Sequence, residues 1–171
     1  APGNFTDNNQ VFNIYNGATA TIGAAWTVSG TGSKIVLGDG TNACNFTVPA
    51  SYALSTPAID VSNNATLTIQ NATVPALGTL NSGSTVVYGY QGASQNVTAA
   101  TYGNLTISGL TGTTTFTLAG VTTVAGNLSI TSGTFDNGGY AITLASAKNF
   151  SVSNGATFNL SGTSTMVSVS G

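Results

Sequence analysis

Residues 127–160 read NLSITSGTFDNGGYAITLASAKNFSVSNGATFNL and contain one phrase twice. Asn127-Leu128-Ser129-Ile130 returns 22 residues later as Asn149-Phe150-Ser151-Val152. The first copy is followed by Ser132-Gly133-Thr134-Phe135, the second by Asn154-Gly155-Ala156-Thr157-Phe158. Each phrase alternates polar and apolar residues, the period of a half-buried strand. Upstream, Asn104-Leu105-Thr106-Ile107 extends the series at a step of 23. A second phrase, Asn-Gly/Asn-Ala-Thr, begins at Asn16, Asn63 and Asn154, at steps of 47 and 91. Those steps are close to two and four units of about 23 residues, and a fixed period in this range marks a repeat architecture.

A unit of that length, extended at about 3.3 Å per residue, holds three short strands and three corners. Each strand then pairs in parallel with its copy one coil above, about 4.8 Å away. Leu and Ile of the phrase face a narrow core; Asn and Thr face water. Gly, Asn and Asp supply the corners, as in Asp136-Asn137-Gly138-Gly139 and Asp39-Gly40. Further strand-like alternations lie at 18–22, 66–69, 85–88, 115–118 and 141–144, and no segment carries apolar residues at helical spacing. Pro49, Pro57 and Pro75 mark a less regular stretch, where loops or insertions are expected to leave the coil.

Composition narrows the functional classes. Of 171 residues, 41% are apolar and only 4% charged: Lys34, Lys148, Asp7, Asp39, Asp60 and Asp136. Two distant lysines build no phosphate-binding footprint, so nucleic acid is not expected as a partner. Without His, and with Cys44 alone, metal sites made of His or Cys clusters are excluded, as is an internal disulfide. Scattered carboxylates and the absence of Arg, Glu and His leave no acid–base inventory, so no catalytic residue and no cofactor is assigned. Asp39 and Asp136 read as turn formers, Cys44 as a small buried hydrophobe. No apolar run is long enough for a membrane span. The near absence of charge with abundant Ser, Thr and Asn favours a secreted, extracellular setting.

The phrases STVVYGYQGASQNVTAATYGNLTISG (84–109) and GNLSITSGTFDNGGYAITLASAKNFSVSNGATFNLSG (126–162) resemble the repeats of large bacterial secreted surface proteins and autotransporter-like adhesins. The resemblance implies parallel β-solenoid rungs used as stalks or adhesive surfaces.

Nine Asn-x-Ser/Thr sequons begin at Asn4, Asn45, Asn64, Asn71, Asn96, Asn104, Asn127, Asn149 and Asn159, and each is a glycosylation candidate. Strand alternation itself sets Asn and Thr two apart and outward, which accounts for their abundance. Trp26, Tyr52, Tyr88, Tyr90, Tyr102 and Tyr140 read as packing groups before a sugar-stacking strip.

The fold expected is all-β: one right-handed parallel β-solenoid of about seven coils over 16–171, its hand set by the crossover preference. Residues 1–15 form a less regular N-terminal arm or cap. The function expected is a non-enzymatic structural protein of an extracellular filament or adhesive stalk, whose copies join head to tail by strand addition. The assembly candidates are Val11, Phe12, Ile14 and Tyr15 at one end, and Met166, Val167 and Val169 at the other. Surface glycans are a second class of partner. Two other readings are a β-sandwich pilin that donates residues 1–15 as a strand, and a β-helix that binds or cleaves carbohydrate.

Overall fold

The structure is a computed structural model that describes residues 4–15, 17–110 and 113–162. Within them the chain is all-β and winds as a parallel β-solenoid of seven turns. The first turn carries β1 (Val11–Ile14), β2 (Thr19–Thr21) and β3 (Trp26–Thr27). The second carries β4 (Lys34–Leu37), β5 (Cys44–Val48) and β6 (Leu54–Ser55); the third has only β7 (Ile59–Val61) and β8 (Ala65–Ile69). The fourth carries β9 (Leu77–Leu80), β10 (Thr85–Tyr88) and β11 (Ser94–Val97), and the fifth β12 (Thr101–Tyr102), β13 (Asn104–Ser108) and β14 (Thr115–Leu118). The sixth carries β15 (Thr122–Val124), β16 (Leu128–Ser132) and β17 (Thr134–Asp136), and the seventh β18 (Ile142–Leu144), β19 (Phe150–Val152) and β20 (Thr157–Asn159).

One sheet runs through all seven turns in the order β19-β16-β13-β10-β8-β5-β2. Like residues lie over like residues. Phe46, Leu67, Val86, Leu105, Leu128 and Phe150 form one inward column. Val48, Ile69, Tyr88, Ile107, Ile130 and Val152 form the next. Except at the last turn these side chains are buried. Each buried aliphatic stabilises the fold by roughly 1.5–3 kcal/mol. Outward, Thr21, Thr47, Thr68, Thr106, Ser129 and Ser151 share one row, broken only by Val87.

The stacking explains why the opening phrase begins with Asn. The Asn127 N–H donates to Asn104 Oδ1 at 2.9 Å, and the Asn149 N–H donates to Asn127 Oδ1 at 3.0 Å. An amide ladder thus caps the entry corner of successive turns, where no strand partner is available. The short Ser132-Gly133-Thr134 corner works because Gly133 sits at φ +78°. A Cβ there would also meet Thr114 O at 2.9 Å.

The period is less uniform than the phrases imply. In the long sheet Thr19, Asn45, Thr66, Thr85 and Asn104 are register partners, at steps of 26, 21, 19 and 19. Steps of 23 and 22 then follow for Leu105, Leu128 and Phe150. One step of the second sequence ruler is coincidental: its 47 matches the two turns from Thr19 to Thr66, but its 91 does not count turns. Asn63 precedes β8 in the long sheet, whereas Asn154 precedes β20 in the sheet β11-β14-β17-β20. Their spacing therefore counts no whole number of turns. Pro49, Pro57 and Pro75 lie at corners outside every strand, and the link holding Pro75 shortens its turn instead of lengthening it.

The stretch expected as an N-terminal arm or cap already carries ladder contacts among its described residues. Phe5 bridges Val28, Asn9 N–H donates to Thr31 O, and β1 pairs in register with β4. The alternation of Val11-Phe12-Asn13-Ile14 puts Phe12 and Ile14 against the core, and packing decides their place. The sandwich-pilin alternative fails because all strand pairs among the described residues are parallel, whereas a pilin sandwich needs antiparallel sheets.

Candidate functional site

The ionisable groups are dispersed, and the described carboxylate contacts stay within one corner or reach the neighbouring turn. Asp39 accepts the Thr41 and Asn42 N–H groups at 2.8 and 2.9 Å, and these bonds hold its carboxyl below the usual range. Asp60 accepts Lys34 Nζ at 2.7 Å and the Thr79 N–H at 2.7 Å. Asp136 accepts the Gly138 N–H at 2.7 Å and the Ser161 hydroxyl. Among the described residues no three His, Cys, Asp or Glu groups gather where a metal ion could sit. Cys44 is buried, its Sγ 3.0 Å from Ile14 O, and burial pushes its thiol up.

The sequons divide by geometry. Asn4, Asn45, Asn64, Asn96, Asn127, Asn149 and Asn159 are exposed. Asn71 is buried and spends its side-chain NH2 on Pro49 O and Ala50 O, so it is a structural residue. Asn64 and Asn104 also commit their NH2 groups to backbone carbonyls, those of Gly40 and Thr41 and that of Ser84. Among the aromatics, Tyr88 and Tyr102 lie in the core and Trp26 packs edge-on against Phe5 and Phe12. Tyr90 is half-buried against the core. Tyr52 and Tyr140 are exposed, but on the second and sixth turns.

The described assembly candidates fall at one end of the ladder. Val11 is 46% exposed and Tyr15 is also exposed, whereas Phe12 and Ile14 are half-buried. Met166, Val167 and Val169 lie outside the described residues. At the opposite end the exposed apolar groups are ones the sequence reading did not single out. Phe150 and Val152 continue the two core columns yet are 37% and 42% exposed. Their signal was present, since both occupy the inward positions of the repeated phrase.

A second feature escaped the sequence reading. The third turn has no strand after β8; residues 70–76 cut directly to β9. Beside this link lies a cavity of about 520 Å³, between Ala72 and Val74 on one side and Ser94, Asn96 and Thr98 on the other. Gln95 also lines it. Nothing in the repeat announces the gap: the step from Thr66 to Thr85 is 19 residues, the same as the step from Thr85 to Asn104 that carries β11.

No protein-family model, no curated protein and no solved structure matches this chain.

Proposed function

We propose that the chain is a non-enzymatic structural protein of an extracellular filament or adhesive stalk, joined end to end by strand addition. The observation that carries the reading is the last described turn. Phe150 and Val152 stand where Leu105, Leu128, Ile107 and Ile130 are buried one and two turns below, yet they are exposed on the last described turn. A parallel ladder presents unpaired main-chain groups at its terminal strand, and a further rung would bury both. A contact of this kind that does not close on itself generates a filament. Val11 and Tyr15 supply exposed apolar surface at the other end. The small net charge of -2 offers little repulsion between copies. Sequons on the exposed faces suit a glycan coat in a secreted setting.

Negative-stain microscopy of the intact chain, alone and as Val152→Asp, tests this. Rods that lengthen with concentration are expected for the parent chain and discrete particles for the variant. Discrete particles for both, or rods unchanged by the variant, would sink it.

A further inference from the structure

The gap on the third turn leaves a strand edge open in the side of the solenoid. β11 is the edge strand of the sheet β11-β14-β17-β20. The Thr115 N–H donates to Ala93 O and the Ala119 N–H to Val97 O, both at 2.9 Å. Alternate residues of a strand bond to alternate sides, so Ala93, Gln95 and Val97 serve β14. Ser94 and Asn96 therefore turn their N–H and C=O groups to the opposite edge. Both residues are exposed, and both line the cavity. The next N–H along, that of Thr98, is taken by Tyr88 Oη at 3.1 Å. The open stretch of edge is thus short and bounded.

A second observation marks the same rung as incomplete. Gln95 is 4% exposed and donates from Nε2 to Asn71 O at 2.6 Å, while its Oε1 has no partner among the described residues. It occupies the inward column continued by Phe116, Phe135 and Phe158, so an amide stands where that core column ends. A buried polar atom without a partner is uncommon and calls for an explanation.

We propose that this groove binds an extended, uncharged polypeptide segment of another chain, which pairs with Ser94 and Asn96 as an added strand. Main-chain donors and acceptors alternating along an edge are complementary to another polypeptide backbone. The walls specify the side chains. Ala72, Val74, Ala99 and Ala119 leave room for small residues, and no lining residue is charged. A segment rich in Ala, Ser and Thr fits; one bearing Lys or Glu would bury a charge without a partner. The proposal is independent of end-to-end assembly, since β11 lies on the fourth turn and not at either end of the stack.

The test uses the intact chain and a blocked peptide of sequence ATATIGA, matching residues 18–24. Hydrogen exchange is read residue by residue as peptide is added. Saturable slowing at Ser94 and Asn96 by about tenfold or more is expected, with no change at β19. The same peptide N-methylated at alternate amides is expected to leave exchange unchanged. Asn96→Pro removes an N–H that serves no ladder bond and should weaken binding by about tenfold or more. Ala72→Trp, on the opposite wall, should do the same and guards against misfolding of the proline variant. No slowing at millimolar peptide, or binding undiminished in both variants, would overturn the proposal. So would equal slowing by a neutral oligosaccharide, which would make the groove a hydroxyl site.

Discussion

The long sheet and the faces that flank it obey different rules. The sheet from β2 to β19 is unbroken over seven turns. The face preceding it is split into β1-β4-β7-β9 and β12-β15-β18, and the face following it into β3-β6 and β11-β14-β17-β20. The first break falls between the fourth and fifth turns, the second between the second and fourth. Turn length varies from 19 to 26 residues, yet the long sheet loses register only at one bulge, between Ile107 and Ser108. A slip of one residue would expose every inward side chain of the strand, so one face must hold its register. The corners and flanks then absorb the variation in length. Two of the three buried polar atoms left unpartnered among the described residues, Ser84 Oγ and Gln95 Oε1, sit near the breaks.

The strongest way to break this contrast is to charge the shared sheet. Leu105→Asp places a carboxylate in a fully buried column. It should destabilise by more than about 4 kcal/mol and unfold both halves together, read by denaturant titration. Loss of structure in the last three turns alone would show that the sheet does not couple them.

At the break itself, a Cβ on Gly103 would lie 2.3 Å from Asn81 O and 2.5 Å from Ser84 O. Both contacts are backbone, so nothing flexible can yield. Gly103→Ala should cost about 1–3 kcal/mol, with faster hydrogen exchange concentrated at 81–84 and 101–104.

The polar network beside that break is a finer probe. Tyr102 donates to Thr98 O at 2.6 Å; its one hydrogen is committed, so Tyr88 donates to Tyr102 across 2.9 Å. Burial pushes both hydroxyls above their ordinary range, which favours their neutral forms in the fold. Their contribution is fully present below the unfolded pKa of about 10 and is lost as pH rises above it. Stability should therefore fall in alkali. Tyr102→Phe should lower it by about 1–2 kcal/mol at neutral pH and flatten the alkaline slope. An unchanged slope would separate the network from the pH response.

The smallest effect is expected on a flank away from the break. Lys34 and Asp60 pair at 2.7 Å across β4 and β7, with Lys34 half-exposed. The carboxylate raises the Lys34 ammonium above its usual range. That support is present below the ordinary lysine pKa and fades as pH rises past it. Exposed pairs contribute little, so Lys34→Met should be hard to tell from the parent in a denaturant titration at neutral pH.

The alternation and recurrence of Asn104-Leu105-Thr106-Ile107, Asn127-Leu128-Ser129-Ile130 and Asn149-Phe150-Ser151-Val152 determined a great deal alone. They made the protein all-β, set which residues face inward, and placed like over like, because side-chain direction in a strand has a strict period of two. The outward Asn and Thr of the sequons follow from the same period. Only the tertiary structure decided where the stack is interrupted. Residues 70–76 look like any other corner, and whether they complete a rung depends on the path across the neighbouring turns. It likewise decided that Asn71 is buried while Asn96 is open, that Phe5 already belongs to the ladder, and that Ser94 and Asn96 keep a free edge. Local periodicity fixes a side chain's face, whereas pairing is a relation between segments about twenty residues apart, and no single segment carries it.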